Sequence, residues 1–311
     1  MRVGLGLPVS GAWATPENVG GFAVRAEELG YHSLWGFQRL LVAADQDLDP
    51  VYRSVLDPLV ALAFAAARTT RIRLGVAVVN FPFVAPTVLA KQAATLDVLS
   101  RGRHDLGLGS GWSDAEFAAT GATTARRGPR AEEYLAVLRV LWADELSEFH
   151  GDFYTVPPSR MLPRPVQRPG PPVLLGGSAE PALRRAGRIA DGWVSRSGAD
   201  PRTLGADIAV VRDAARRAGR DPDTLRFICR GVVRPGDRAA ADGTGGPADG
   251  RRLLSGSYQQ IRADLANLAE QGVTEVFYDL NWDPLIGSPD VDPATATARA
   301  DEIMHELAPL A

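Results

Sequence analysis

Glycines at a strand end form the segment whose residue types best suit ligand binding. Leu174 and Leu175 run into Gly176-Gly177-Ser178, after which a helical pattern begins. Glycines let a ligand approach the backbone closely, and the free N–H groups at a helix start favour an anion, typically a phosphate. The pattern equally suits an ordinary strand-to-helix turn in which Ser178 caps the helix, and the local sequence leaves both interpretations open.

A second glycine-rich segment, residues 107–112 (GLGSGW), offers a place for a flat ligand. Small residues such as Ser110 and Gly111 make room, and Trp112 would form a wall of the pocket. Alternatively, the glycines let a strand and a helix pack closely, and Trp112 fills the core. These two interpretations are evenly balanced from the sequence.

Other polar side chains give weaker signals. Arg126, Arg127 and Arg130 follow a Gly/Thr-rich loop and suit either a ligand phosphate or a solvated helix face. Cys229 lies in an apolar run and is expected to be an inert core thiol. His104 alternates with core residues and is expected to be structural.

Composition excludes several classes of protein. The 311 residues carry a formal net charge of −3, and no run of five basic residues suggests nucleic-acid binding. One cysteine allows no intramolecular disulfide, and four widely spaced histidines predict no metal centre. No apolar stretch approaches the 18 residues of a membrane span, and the N-terminus lacks the apolar core of a secretory signal. We therefore expect a cytoplasmic protein with neither nucleic-acid nor membrane partners.

Short β-rich runs alternate with longer helical patterns along the chain, which predicts an α/β fold. The pattern favours a single (β/α)₈ TIM barrel over residues 1–311. An open dinucleotide-binding sheet is less favoured, because Gly4-x-Gly6 lacks the third glycine. Residues 152–172 contain several prolines and predict a long extended connection, and residues 236–252 predict a mobile loop. The predicted strands are 3–7, 32–35, 72–79, 104–109, 173–175, 192–195, 225–233 and 275–280.

In such a barrel, ligands bind where the strands end. This rule selects a set of candidate site residues before any family is considered. They are residues 8–10, 36–39, 77–81, 109–112, 176–178, 195–197, 230 and 279–282.

Ordered motifs along most of the chain resemble the bacterial-luciferase-like oxidoreductase family, in the branch that uses the deazaflavin coenzyme F420. The most specific stretch joins residues 75–80 (GVAVVN) to Lys91-Gln92 and continues into Gly107-x-Gly109-x-Gly111-Trp112 and Glu116-Phe117. The further matches are Arg130-x2-Glu133-Tyr134, Phe149-x-Gly151-x-Phe153, Pro171-Pro172-Val173-x2-Gly176-Gly177 and Ala190-Asp191-Gly192-Trp193.

This resemblance implies that a flavin or deazaflavin lies at the carboxyl ends of the barrel strands. Relatives carry a non-proline cis peptide on the third strand, which by motif position falls between Ala77 and Val78. It further implies a phosphate site at the 176–178 turn, and that residues 110–111 line the side chain or ring of the cofactor. The implied cofactor-binding residues are Ala77, Val78, Ser110, Gly111, Gly176, Gly177 and Ser178.

Two positions depart from the family pattern. Many deazaflavin-using relatives place an acidic residue and a histidine after the second strand, where this chain has Gln38 and Arg39. Sugar-phosphate dehydrogenase relatives place a glutamate at the position of Trp112. Arginine stays protonated and cannot act as a general acid at neutral pH. We therefore expect no sugar-phosphate dehydrogenase activity, and we take Arg39, Gln38 and Trp112 as the catalytic candidates, with Arg39 holding an anion or a carbonyl.

The resemblance implies an enzyme that moves a hydride between coenzyme F420 and a small organic substrate. The alternative is an FMNH₂-dependent monooxygenase that works with a separate flavin reductase. A protein that binds a flavin without catalysis is a third possibility, suggested by the missing histidine and glutamate. The family also implies a homodimer, whose interface the apolar helix predicted over residues 56–67 could supply.

Overall fold

A computed structural model describes residues 1–143, 145–236 and 251–309 of the chain. The strands are β1 (Arg2–Gly6), β2 (Ser33–Gly36), β3 (Arg73–Asn80), β4 (His104–Gly109), β5 (Ser147–His150), β6 (Thr155–Ser159), β7 (Val173–Gly176), β8 (Gly192–Val194), β9 (Arg226–Gly231), β10 (Arg234–Pro235), β11 (Ser255–Gly256) and β12 (Glu275–Tyr278). The α-helices are α1 (Pro16–Glu28), α2 (Pro58–Ala66), α3 (Pro86–Leu99), α4 (Asp114–Thr120), α5 (Arg127–Ala143), α6 (Glu180–Ile189), α7 (Leu204–Arg217), α8 (Tyr258–Glu270) and α9 (Pro293–Glu306).

Eight parallel strands close into a barrel in the order β1-β12-β9-β8-β7-β4-β3-β2. Each barrel strand therefore pairs with its neighbour in the chain, and the last strand, β12, closes the barrel on β1. Helices occupy the connections between the strands. The predicted (β/α)₈ barrel is confirmed. Because its strands are parallel, their carboxyl ends all lie on the same face of the barrel.

Local sequence signals explain where several helices begin. Thr15 caps α1 by accepting a hydrogen bond from the Asn18 N–H at 3.2 Å. Asp57 caps α2 through the N–H groups of Leu59 and Val60, each at 3.0 Å. Proline is the first residue of both helices, where its missing N–H costs no hydrogen bond.

Buried charges close the barrel near the amino ends of its strands. Asp105 accepts hydrogen bonds from Arg73 at 2.6 Å and from Arg226 at 2.7 Å, and Arg226 also pairs with Glu275 at 3.1 Å. Burial raises the pKa of Asp105. The hydrogen bond from Arg73 and the charge of Arg226 lower it by more than burial raises it, so the pKa of Asp105 lies below its usual value. The network lies far from the ligand-binding end, so we assign it to stability.

Two sequence predictions need correction. The region predicted as an extended connection, residues 152–172, contains β6, which pairs antiparallel with β5 to form a hairpin. Its strands are short and β6 carries two prolines, which hide the β pattern. The helix predicted over residues 56–67 begins at Pro58, after the Asp57 cap. Most of the predicted mobile loop, residues 237–250, lies outside the described residues.

In the described part of the chain, no helix combines the length and apolar character needed to cross a membrane.

Candidate active site

A cleft of about 210 Å³ opens where the barrel strands end. It collects residues from five barrel strands and from the loops that follow them, as expected for a barrel enzyme. Its lining residues are Phe37, Gln38, Arg39, Tyr52, Ala77, Val78, Asn80, Gly109, Ser110, Gly111, Trp112, Gly176, Gly177, Val194, Ser195, Arg196, Ser197 and Arg230. The sequence predicts ten catalytic or cofactor-binding residues. Nine of these ten lie in the lining, and Ser178 does not.

A bulge in β3 forms the floor of the cleft. The peptide bond between Ala77 and Val78 is cis, at the position that the family resemblance predicts. Val76 pairs with Leu106 and Val79 pairs with Leu108, so β3 advances by three residues where β4 advances by two. The extra residue forms a bulge in β3. Gly109 provides the space for Val78, because a Cβ built on Gly109 would lie 2.4 Å from a Val78 methyl group. A glycine in this β4 position is therefore a packing requirement of the bulge.

The glycine turn after β7 forms another wall. Gly176 and Gly177 line the cleft, and Gly177 has a φ of +121°, which favours glycine. The carbonyl of Gly177 accepts a hydrogen bond from the Trp193 indole at 2.8 Å, which fixes the turn. Ser178 is exposed beside the lining, and the α6 cap is Ala179, which provides no side-chain hydrogen bond. The interpretation of Ser178 as a helix cap is therefore wrong.

Arg39 is held in a fixed position at one side of the cleft. Its Nη1 donates to Glu116 at 2.8 Å, and the two side chains are only 4% and 1% exposed. The guanidinium carbon lies 4.5 Å from the ring centre of Tyr52 and 4.4 Å from that of Trp112, in the corner between these rings. Glu116 also accepts the N–H of Leu40 at 2.7 Å. Its carboxylate thus neutralises Arg39 and anchors the loop that carries it.

Trp112 and Gln38 have distinct roles in shaping the cleft. Trp112 is 52% exposed at the rim, which favours its interpretation as a pocket wall rather than a core filler. The Gln38 side-chain oxygen accepts the backbone N–H of Asn80 at 2.9 Å. Gln38 therefore ties the loop after β2 to the end of β3.

Arg230, at the end of β9, is the most enclosed cation in the cleft after Arg39. Its Nε donates to Asp279 at 2.6 Å, and its Nη1 donates to the carbonyl oxygen of Ala77 at 3.2 Å. The guanidinium carbon lies 4.7 Å from the ring centre of Phe37 and 5.6 Å from that of Trp282. Arg230 therefore links the far side of the barrel to the β3 bulge.

The lining carries positive charge without negative charge. Three of its side chains are arginines, and none is a carboxylate. Glu116 and Asp279 neutralise Arg39 and Arg230 from behind the lining, whereas no carboxylate among the described residues pairs with Arg196. The exposed Arg196 follows β8 at the mouth of the cleft. This charge distribution favours an anionic group near the mouth.

Some sequence candidates lie elsewhere. The guanidinium carbons of Arg126 and Arg130 lie 4.6 and 4.4 Å from the ring centre of Phe153, and Arg126 pairs with Asp152 on the surface at 3.0 Å. They do not reach the cleft. Cys229 is buried, and burial raises its thiol pKa to about 12, so it is no nucleophile at neutral pH.

Sequence reasoning missed Tyr52 and Val194 of the lining and Glu116 behind it. Tyr52 lies in a one-turn 3₁₀ helix between β2 and α2, away from any strand end. Glu116 lies in the first turn of α4, behind the lining. The only available signal was the motif Trp112-x3-Glu116-Phe117, which indicates the family but not the partner of the glutamate. Within the described ranges, no group of three acidic, histidine or cysteine side chains is arranged to hold a metal ion.

The closed (β/α)₈ barrel and the cis bond on its bulged third strand are the features that the resemblance to luciferase-like oxidoreductases predicts. Residues 2–244 match the luciferase-like monooxygenase family. The chain belongs to that family and is an oxidoreductase.

Relatives and solved structures agree with this assignment. An uncharacterised protein of Mycobacterium tuberculosis is 35% identical over 84% of this chain and 79% of its own length. An F420-dependent glucose-6-phosphate dehydrogenase of Microbacterium testaceum is 30% identical over 68% of this chain and 63% of its own. An FMNH₂-dependent dimethylsulfone monooxygenase of Pseudomonas putida is 33% identical over 49% of this chain and 42% of its own. The monooxygenase RslO1 of Streptomyces bottropensis shares the fold, with a TM-score of 0.78 at 23% identity over 99% of this chain and 98% of its own.

Proposed function

We propose that the protein is a coenzyme F420-dependent oxidoreductase that transfers a hydride between the deazaflavin and a small organic substrate. The observation that carries the proposal is the cleft lining, which places three arginines and no carboxylate around the β3 bulge. Such a lining suits a planar ring with a polyanionic tail. The F420-dependent relative also matches a larger share of this chain than the FMNH₂-dependent one does.

The residues present fit this cofactor. The Val78 side chain lines the cleft on the bulge and would support the face of the ring. Gly176 and Gly177 leave the backbone accessible, and together with Ser178 they would bind a phosphate. Arg196, which forms no ion pair with a carboxylate among the described residues, lies nearby in the lining. When bound, the deazaflavin supplies a ring carbon that donates or accepts a hydride.

The chain's own contribution would be to orient the substrate and to exclude water. Arg39, fixed by Glu116, and the Trp112 ring would form the wall facing the substrate. Arginine cannot donate a proton at neutral pH, so Arg39 would act by position and charge. Tyr52 carries the one phenolic O–H group of the described lining, and a phenol can donate a proton as well as a hydrogen bond. We assign to Tyr52 the supply of a proton to the substrate.

The glucose-6-phosphate activity of the F420-dependent relative is not part of this proposal. The family resemblance implies a histidine and a glutamate at two positions of a sugar-phosphate dehydrogenase site. This chain has Arg39 and Trp112 at those positions. A bulky indole and a neutralised guanidinium change both the shape and the proton chemistry of that half of the cleft. We therefore propose a small substrate of another class.

A second candidate is an FMNH₂-dependent monooxygenase supplied by a separate reductase. The matched segment of the Pseudomonas putida enzyme favours it. Because deazaflavins react poorly with oxygen whereas reduced flavins react readily, the identity of the cofactor separates the two chemistries.

Equilibrium binding of oxidised F420 and, separately, of FMN tests the proposal. Quenching of tryptophan fluorescence is a suitable readout, because Trp112 lies in the cleft. We expect tight binding of F420 and weak binding of FMN. Preference for FMN would replace the proposal with the second candidate, and binding of neither would refute both.

We also propose that the chain forms a homodimer through α2. Val60 is 70% exposed and Phe64 is 45% exposed on this helix, and Leu56 beside it is 41% exposed. Contiguous exposed apolar side chains of this kind are typical of interfaces between subunits.

A further inference from the structure

Arg230 has a hydrogen-bonding capacity that its protein neighbours do not use. Its side chain is 9% exposed, so it is cut off from bulk water. Nε and Nη1 have partners in Asp279 and in the Ala77 carbonyl, but Nη2 has none among the described residues. A buried donor without an acceptor is unfavourable, and in native sites it commonly awaits a ligand.

The surroundings of Arg230 keep it in this position. Asp279, which is 1% exposed, accepts from Nε and is itself held through its other oxygen by the Asn281 side chain at 2.9 Å. The backbone N–H of Arg230 donates to the Ser195 hydroxyl at 2.9 Å, which joins the end of β9 to the loop after β8. The Phe37 and Trp282 rings cover the guanidinium. A side chain held this firmly meets its ligand in a preorganised geometry.

The location of Arg230 identifies the kind of ligand. It lines the same cleft as Val78, and its Nη1 contacts the β3 bulge itself. The exposed Arg196 lies toward the mouth, in the part of the lining assigned to the anionic tail. Arg230 therefore faces the ring of the proposed cofactor rather than its tail.

We propose that Arg230 hydrogen-bonds the pyrimidine edge of the bound cofactor ring and favours its reduced form. This inference rests on the proposed function. In reduced flavins and deazaflavins, negative charge concentrates on the pyrimidine nitrogen N1 and its neighbouring carbonyl oxygen. The charge-assisted hydrogen bond from a guanidinium N–H is therefore stronger to the reduced ring than to the oxidised one. Arg230 thus acts as a positioning residue that sets the reduction potential of the cofactor.

The test compares the affinities of the two redox states in wild type and in Arg230→Lys. The lysine keeps a cation beside Asp279 but loses the planar fork that reaches the ring. We expect the affinity for the reduced cofactor to fall about tenfold more than that for the oxidised cofactor. For a two-electron couple, tenfold corresponds to a bound reduction potential about 30 mV more negative. Anaerobic fluorescence titration gives the affinities, and redox titration against a reference dye gives the potential.

Arg196→Gln is the matched control, because it removes a cleft arginine that forms no ion pair with a carboxylate among the described residues. It should weaken both redox states equally and leave the potential unchanged. If Arg230→Lys unfolds, the paired variant of Arg230→Gln with Asp279→Asn removes both charges together and should give the same selective loss.

The outcomes separate this inference from the proposed function. Equal weakening of both redox states by the Arg230 variants, or no weakening, overturns the inference while leaving the cofactor in place. A wild-type protein that binds neither F420 nor FMN overturns both.

Discussion

Removal of the Glu116 carboxylate gives a direct test of how the substrate side of the cleft is built. The Glu116→Ala variant deletes the acceptor of two hydrogen bonds, a buried one from Arg39 at 2.8 Å and a partly buried one from the Leu40 N–H at 2.7 Å. Hydrogen bonds to charged groups contribute about 1.5–3 kcal/mol each, which gives about 3–6 kcal/mol for the two. Breaking a buried ion pair from one side costs about 3–5 kcal/mol by an independent measure.

We expect the lower part of that range, a loss of about 3–4 kcal/mol. The Tyr52 and Trp112 rings lie within 4.5 Å of the Arg39 guanidinium and continue to stabilise its charge. Such contacts contribute about 0.5–2 kcal/mol, which offsets part of the penalty. The measurement is the free energy of unfolding in urea, followed by tryptophan fluorescence and circular dichroism so that coincident transitions validate a two-state treatment.

Two comparisons make this prediction decisive. Glu132→Ala is the matched control, since Glu132 is 38% exposed and pairs with Arg188 at 2.5 Å and with Arg185 at 3.4 Å near the surface, where the loss should stay at about 1 kcal/mol. The double variant of Arg39→Met with Glu116→Leu should lose less than Glu116→Ala alone, because no buried charge is left unpaired. Equal losses for Glu116→Ala and Glu132→Ala, or a double variant that loses the sum of its single changes, would refute the account of Arg39 as a fixed, neutralised cation.

Three further predictions concern the bulge, a buried histidine and the subunit interface. Gly109→Ala should weaken cofactor binding at least tenfold in a fluorescence titration, because its Cβ would lie 2.4 Å from a Val78 methyl group. Burial lowers the pKa of His104 below its ordinary 6.5, so the unfolded chain takes up its proton first as the pH falls. Stability should therefore decline below about pH 6.5, and His104→Gln should flatten that decline in thermal melts. Val60→Glu should convert a dimer, with twice the 33.2 kDa of one chain, into a monomer by light scattering.

The prediction for Gly109 has a control within the same chain. Gly205→Ala lies in α7 with its nearest neighbour atoms 3.5 Å from the new Cβ, and it should leave cofactor binding intact. Wild-type binding by the Gly109 variant, an unaltered pH profile for the His104 variant, or a wild-type mass equal to one chain would contradict the respective prediction.

The barrel was predictable because its strands carry strong local signals. The apolar run ending in Val79 is typical of a strand buried on both faces, and prolines mark the starts of several helices. The cis bond between Ala77 and Val78 was predictable only through the family motif, since no local pattern distinguishes it. The hairpin of β5 and β6 was missed because its strands have only four and five residues and β6 contains two prolines.

The candidate site was predictable only where it coincides with strand ends. Gly176 and Gly177 follow a strand directly, so the barrel rule finds them. Tyr52 reaches the cleft from a loop whose path depends on tertiary contacts. The partnership of Arg39 with Glu116 joins residues 77 positions apart, and one sequence contains no record of such a contact.

Glu116 and Asp279 explain how the cleft can hold two nearly buried arginines, Arg39 and Arg230. Arg39 stands where the family resemblance implies a histidine. Each carboxylate lies behind the lining, nearly buried, and neutralises one cleft arginine at 2.8 or 2.6 Å. The cleft thus presents fixed hydrogen-bond donors without the cost of an unpaired buried charge. A donor of this kind binds an oxygen that gains charge during hydride transfer but moves no proton. Under the proposed function, the arginines would therefore orient the substrate, and Tyr52 would supply the proton.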